Sequence, residues 1–236
     1  MFRYPKPNLA TYLGLFCALG VPLLVLPTRL LAGIHIAGAL WIEEAAFWGL
    51  AILVVGILHY GERLPLSAIG LGRPTWTSFW WGIAGAVAVR ITASLVLLAY
   101  AKLSGTSLSQ EFARDLGTVT RLGSLPLAVI FLLALRAGVV EELLFRGYGI
   151  ERLAAVTGNR GVAAAISLGM FTAAHLGTWD IQFLIVVFPA GLVLTLLFVW
   201  RRDLWANMWA HFFTDSVSLV GAYALAHHLI SMKPGT

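Results

Sequence analysis

From Leu125 to Arg146 the chain runs Leu-Pro-Leu-Ala-Val-Ile-Phe-Leu-Leu-Ala-Leu-Arg-Ala-Gly-Val-Val-Glu-Glu-Leu-Leu-Phe-Arg. Up to Val140 the only charge is Arg136; Glu141, Glu142 and Arg146 then follow in close succession. An apolar run near ~20 residues is long enough to cross a bilayer. Charged side chains at that depth are costly and by default mark a functional site.

The rest of the chain has the same character. Its 236 residues are 59% hydrophobic and only 11% charged, with a mean hydropathy of +0.86. A soluble domain carries about 25% charge and lacks repeated long apolar runs, so the composition excludes one and predicts an all-α, polytopic membrane bundle. Candidate spans are 9–27, 42–60, 78–101, 125–148, 160–177, 181–200 and 204–230, with Leu30 to Trp41 as a partial or interfacial helix, which makes seven to eight. Residues 1–236 read as a single transmembrane domain with a motif-bearing core at about 120–220. The run Leu9 to Pro27 is longer than a usual leader core and reads as the first membrane helix rather than a cleaved signal.

A net charge of +5 would suggest nucleic acid in a soluble protein. Here most Lys and Arg fall between apolar runs, where they set topology and contact lipid headgroups. With seven spans, Arg3, Lys6, Arg63, Arg73, Arg146, Arg152, Arg160, Arg201 and Arg202 share one side, and Arg29, Lys102, Arg114, Arg121 and Lys233 the other. That asymmetry predicts a cytoplasmic N-terminus. The lone Cys17 excludes an internal disulfide and a cysteine zinc site. The expected setting is a prokaryotic plasma membrane, with membrane lipids and a membrane-associated substrate as partners; oligomeric state is left open.

Three polar pairs stand on separate apolar helices: Glu142 with Arg146, Phe171 with His175, and His211 with Asp215. Residues at i and i+4 share a helix face about 6 Å apart. Glu142 and Arg146 are thus set to pair along the helix, whereas Glu141, rotated by about 100°, is free to face elsewhere. A carboxylate in a low-dielectric pocket can act as a general base near neutral pH. Glu141 with His175 and His211 is therefore a candidate for activating water, with His211 and Asp215 stabilising an oxyanion. The same Glu141, His175 and His211 also form the ligand set of a zinc site with an open fourth position, and sequence leaves the two chemistries unseparated.

Glu-Glu-x-x-x-Arg, Phe-x-x-x-His and His-x-x-x-Asp, in that order on separate helices, resemble the CPBP family of intramembrane proteases, which includes the CAAX prenyl endopeptidases and bacteriocin-processing or immunity proteins. The resemblance covers about residues 120–220, and Leu64-Pro65 to Gly70-Leu71-Gly72 is similar to the family's linker. It implies an endopeptidase acting on a membrane-associated, in some members lipidated, peptide or protein. Glu141 and His175 would activate the water, and His211 and Asp215 would hold the oxyanion. Glu142, Arg146 and Phe171 would support the site. The family is described with eight helices. Rival readings are a proton-coupled transporter, which should show inverted repeats, and a non-catalytic immunity or binding protein of the same fold.

Further expectations follow from depth and position. Glu141 reaches the level of His175 if the fourth helix continues through Glu151-Arg152 toward Gly158 or if helices tilt; the longer helix is expected, with Arg152 snorkelling to the headgroups. Glu43-Glu44 reads as a helix N-terminus, His227-His228 as interfacial, and Asn207 as facing either the site or the last helix's cap. Arg90 and Arg136 are expected to pair with carboxylates or contact a substrate terminus. Trp76, Trp80, Trp81, Trp200, Trp205 and Trp209 fit an interfacial belt.

Overall fold

The computed structural model describes residues 6–24, 38–106, 121–176 and 183–230, and within them the chain is all-α, with no strand. The helices are α1 (Leu9–Leu24), α2 (Leu40–Gly61) and α3 (Trp76–Ser104), with a 3₁₀ turn at Leu66–Ile69 between the last two. Then come α4 (residues 127–157), α5 (Arg160–Ala174), α6 (Leu184–Arg201) and α7 (Leu204–Ala226). Three of these, Leu40–Gly61, Trp76–Ser104 and Leu184–Arg201, are long and apolar enough to cross a membrane. Leu9–Leu24 and Arg160–Ala174 are apolar but shorter. Most of the expected partial helix at 30–41 lies outside the described residues.

Helix starts follow from side-chain caps, which satisfy orphan backbone donors. Asn8 accepts from the Thr11 amide, Thr75 from Ser78, Asn159 from Gly161 and Val162, and Asp203 from Ala206. Helix α4 ends where Gly158 takes a left-handed φ of 70°, a conformation that suits glycine. Its continuation to Thr157 is the longer helix expected from depth.

One stretch of α4 departs from ordinary winding. Leu127–Arg136 and Glu151–Thr157 are α-helical, but Ala137–Ile150 is wound with π-type, i→i+5 hydrogen bonding. Such winding is rare and is frequent at functional sites. It carries the whole Glu141–Arg146 motif.

Helix α7 packs against α3 and α4, α6 against α3 and α5, and α5 against α4. Gly138 allows the α4–α7 approach, because a Cβ there would meet the Met208 carbonyl and Phe212. Small residues bring helix backbones together in this way in membranes, where dispersion and interhelical hydrogen bonds replace the hydrophobic effect between helices. The main core gathers Val140, Leu144, Phe145, Tyr148 and Ile150 of α4 with Ala18, Val54, Ala163, Phe171, Phe198 and Leu204.

Several polar expectations change. Arg152 is 1% exposed and does not snorkel. Its Nε donates to Glu62 Oε2 at 2.8 Å, and the same carboxylate accepts from Thr11 Oγ1 at 2.7 Å and, through Oε1, from the Tyr148 hydroxyl at 2.6 Å. Glu62, at the end of α2, offers the guanidinium a nearer anion than any headgroup, and the cluster ties α1, α2 and α4 together. Glu44 is not at a helix start: α2's helical winding begins at Ala39, and Glu44 is buried against Arg136. Arg90 donates to Ser218 Oγ on α7 at 2.7 Å rather than to a carboxylate. Trp76, Trp80 and Trp200 are exposed as a belt requires, whereas Trp209 stacks on Phe213 and meets Phe79 edge-on inside the bundle.

Gly14 of α1 lies against this cluster, and a Cβ there would fall on the Tyr148 phenol. Gly14→Ala is expected to destabilise the detergent-solubilised protein by about 1–3 kcal/mol through overpacking. Tyr148→Phe should not relieve it, because the ring carbons also obstruct; thermal unfolding of both variants checks this.

Candidate active site

The three motifs converge where α4, α5 and α7 meet. On α4, Glu142 is fully buried, and its carboxylate gathers donors from two helices. Oε1 accepts from Arg146 at 2.9 Å and from His211 Nδ1 at 2.8 Å, while Oε2 accepts from Asn207 Nδ2 at 3.0 Å. Arg146, 1% exposed, donates also to the Gly191 carbonyl at 3.2 Å and lies over the Phe171 ring at 3.9 Å. The expected Glu142–Arg146 pair is present, and it belongs to a larger network. A buried charge pair is tolerated when further hydrogen bonds satisfy the remaining atoms, and here they do.

His175 caps the C-terminal end of α5. Its Nδ1 is 2.8 Å from the Phe171 carbonyl. A carbonyl only accepts, so Nδ1 carries the proton and Nε2 of the neutral ring is left as an acceptor. Phe171 packs beneath both histidines, with ring centroids 4.6 Å from His175 and 6.2 Å from His211. Phe171 also lies beneath the Arg146 guanidinium.

On α7, the i, i+4 spacing brings His211 Nε2 to 3.6 Å from Asp215 Oδ2. His211 is anchored through Nδ1 and turns Nε2 toward Asp215, whose side chain is 34% exposed. Glu141, His175, His211 and Asp215 are near enough to act on one another electrostatically. The length of α4 accounts for the meeting. Measured from the turn at 158–159, Glu141 lies at most roughly 24 Å and His175 roughly 22 Å along their helices at 1.5 Å per residue.

Glu141 is not the unpaired carboxylate that the sequence reading expects. Arg136 NH1 donates to its Oε1 at 2.9 Å, and Arg136 Nε donates to Glu44 Oε1 on α2 at 2.7 Å. In an α-helix, residues five apart are rotated by about 140°, so sequence periodicity does not bring Arg136 to Glu141. In i→i+5 winding they stack. Among the described residues Glu141 Oε2 makes no hydrogen bond.

Asn207 is the other residue whose role the sequence left undecided. Asp203 caps α7, and the Asn207 amide spans Glu142 and the Leu194 carbonyl, the latter at 2.7 Å. Glu44 was missed because nothing in its own segment signals a partner on α4.

The zinc reading needs Glu141, His175 and His211 to converge on one point. Among the described residues no three His, Cys, Asp or Glu side chains are grouped to hold a metal ion. Arg136 occupies Glu141 Oε1 and Glu142 holds His211 Nδ1, which leaves Glu141 Oε2, His175 Nε2 and His211 Nε2 as the candidate ligands, and as placed these are not grouped around one metal position.

Glu142→Gln keeps the shape but leaves Arg146 buried without its anion. It is expected to cost about 3–5 kcal/mol, the range for breaking a buried pair, and to lower the thermal midpoint markedly. A midpoint equal to wild type would remove the network from the fold's foundations.

Comparison with known proteins finds one family. A model described as Type II CAAX prenyl endopeptidase Rce1-like matches residues 123–217. Neither a curated protein nor a solved structure matches the chain significantly. The matched segment contains all three motifs and Arg136; Glu44 and helices α1 to α3 lie outside it.

Proposed function

We propose, from the match of residues 123–217 to the Rce1-like CAAX prenyl endopeptidase model, that this chain is an intramembrane endopeptidase that cleaves a membrane-associated peptide or protein, a lipidated one included. The observation that carries this reading is the gathering of Glu141, His175 and the His211–Asp215 pair in an otherwise apolar bundle, with Phe171 in ring contact with both histidines. The bundle would cross the membrane seven to eight times with its N-terminus in the cytoplasm, in a prokaryotic plasma membrane, with lipids and the substrate as its partners.

In the proposed reaction Glu141 Oε2 takes a proton from a water molecule, and His175 Nε2 orients that water. The hydroxide oxygen bonds to the scissile carbonyl carbon. His211, held by Glu142 and steered by Asp215, donates to the oxyanion as it develops, the role in which preorganised donors are most effective. The C–N bond then breaks, and the proton held by Glu141 passes to the amine. Glu142, Arg146 and Phe171 keep these groups in place. No step is assigned to a metal, because the donor set does not converge. No observation favours a transporter or a non-catalytic immunity protein.

Wild type and Glu141→Ala are to be compared in cells by proteomics of membrane-peptide termini. Termini that depend on Glu141 are expected, with their formation reduced by about 10²–10⁴-fold, the range for loss of a general base. An unchanged profile from a folded variant would sink the protease reading. Purified protein is also expected to keep its activity after chelation. Loss of activity that zinc alone restores would overturn the metal-free mechanism.

A further inference from the structure

We propose that Glu44 and Arg136 are positioning residues for Glu141, with Glu44 on α2 aiming the Arg136 guanidinium so that it holds one oxygen of the base and leaves the other to water. This rests on the reading of Glu141 as the base and adds a component from outside the family-matched core.

The geometry is that of one cation shared by two carboxylates. Arg136 spends Nε on Glu44 at 2.7 Å and NH1 on Glu141 at 2.9 Å, while its guanidinium lies over the Phe47 ring at 4.8 Å. Two edges and a face of the plane are thereby occupied, and Glu44 and Phe47 are both on α2. The side chains of Arg136, Glu44 and Glu141 are 14%, 7% and 12% exposed, respectively, so the group is largely withdrawn from bulk water.

Charge accounts for why two carboxylates serve better than one. A carboxylate without a cation in a low-dielectric pocket tends to take up a proton and is then no base. A cation belonging to Glu141 alone would hold it ionised but draw strongly on its electron density. Glu44 divides the Arg136 charge, so the trio carries a net negative charge that is available at Glu141. Fixing Oε1 also fixes where Oε2 points, and a shift near 1 Å in a reacting group can cost about 10² in rate.

The test uses purified full-length protein in lipid nanodiscs and a quenched fluorescent peptide spanning the bond whose cleavage depends on Glu141 in cells. Arg136→Gln is expected to lower kcat by about 10²-fold with KM within twofold of wild type. Arg136→Lys should recover part of kcat, and Glu44→Gln, which keeps the Arg136–Glu141 pair, should lose several-fold in kcat alone. A kcat of Arg136→Gln within threefold of wild type, or a rise in activity, overturns the proposal. So does a loss carried entirely by KM, which would make Arg136 a substrate contact. Where Arg136→Gln does not fold, Glu44→Gln decides: a lowered kcat at constant KM supports the proposal, and a wild-type kcat overturns it. Glu141→Ala in the same assay separates the two levels, because an active Glu141→Ala removes the base itself, whereas an inactive one beside a wild-type Glu44→Gln removes only the positioning pair.

Discussion

The carboxylate of Glu142 is the point on which the bundle is assembled. It is fully buried on α4 and binds Arg146 on its own helix and Asn207 and His211 on α7. In an apolar interior an ionised carboxylate is tolerated only with near-complete pairing. This constrains the rotation and height of α7 against α4 far more tightly than apolar contacts alone, which lipid-like side chains satisfy in many registers. His211 enters the site already oriented, and Arg146 stacks on Phe171 and so carries the constraint to α5.

The same device recurs along α4. Above the Glu142 network, Arg136 joins Glu141 to Glu44 of α2. Below it, Arg152 and Tyr148 join Glu62 at the end of α2, and Glu151 accepts from Arg160 of α5 at 2.7 Å and from Arg202, beyond α6, at 2.6 Å. Helix α4 is a polar spine within an apolar bundle, its charges paired both along the helix and with neighbouring elements. Its charge also explains why it is absent from the helices apolar enough to cross a membrane by composition, although it lies among them.

Much of this was legible in residue order. Caps at Asn8, Thr75, Asn159 and Asp203, and the stop at Gly158, are local chemistry between neighbouring residues, so helix boundaries follow from short stretches of sequence. The i, i+4 pairs Glu142–Arg146 and His211–Asp215 are equally local, and the structure forms both. Arg152, Glu44 and Arg136 were misread or left open because their partners are distant in sequence or require a winding that α-helical periodicity does not anticipate. Arg152 meets an anion 90 residues away, and Arg136 meets Glu141 only where i→i+5 winding stacks them.

By itself, the amino-acid sequence determined an all-α apolar bundle, the identity of the charged residues that such a bundle has to satisfy, and the three motifs that lie within the family-matched residues 123–217. Those properties depend on composition and on spacings within one helix turn. The tertiary structure decided which groups from other helices complete each pair, because that choice is made by helices meeting across the bundle. It added His211 and Asn207 to the Glu142–Arg146 pair, and Glu44 to the Arg136–Glu141 pair. Burial makes each of those pairings obligatory once the helices have met, and no single segment contains the information that they will.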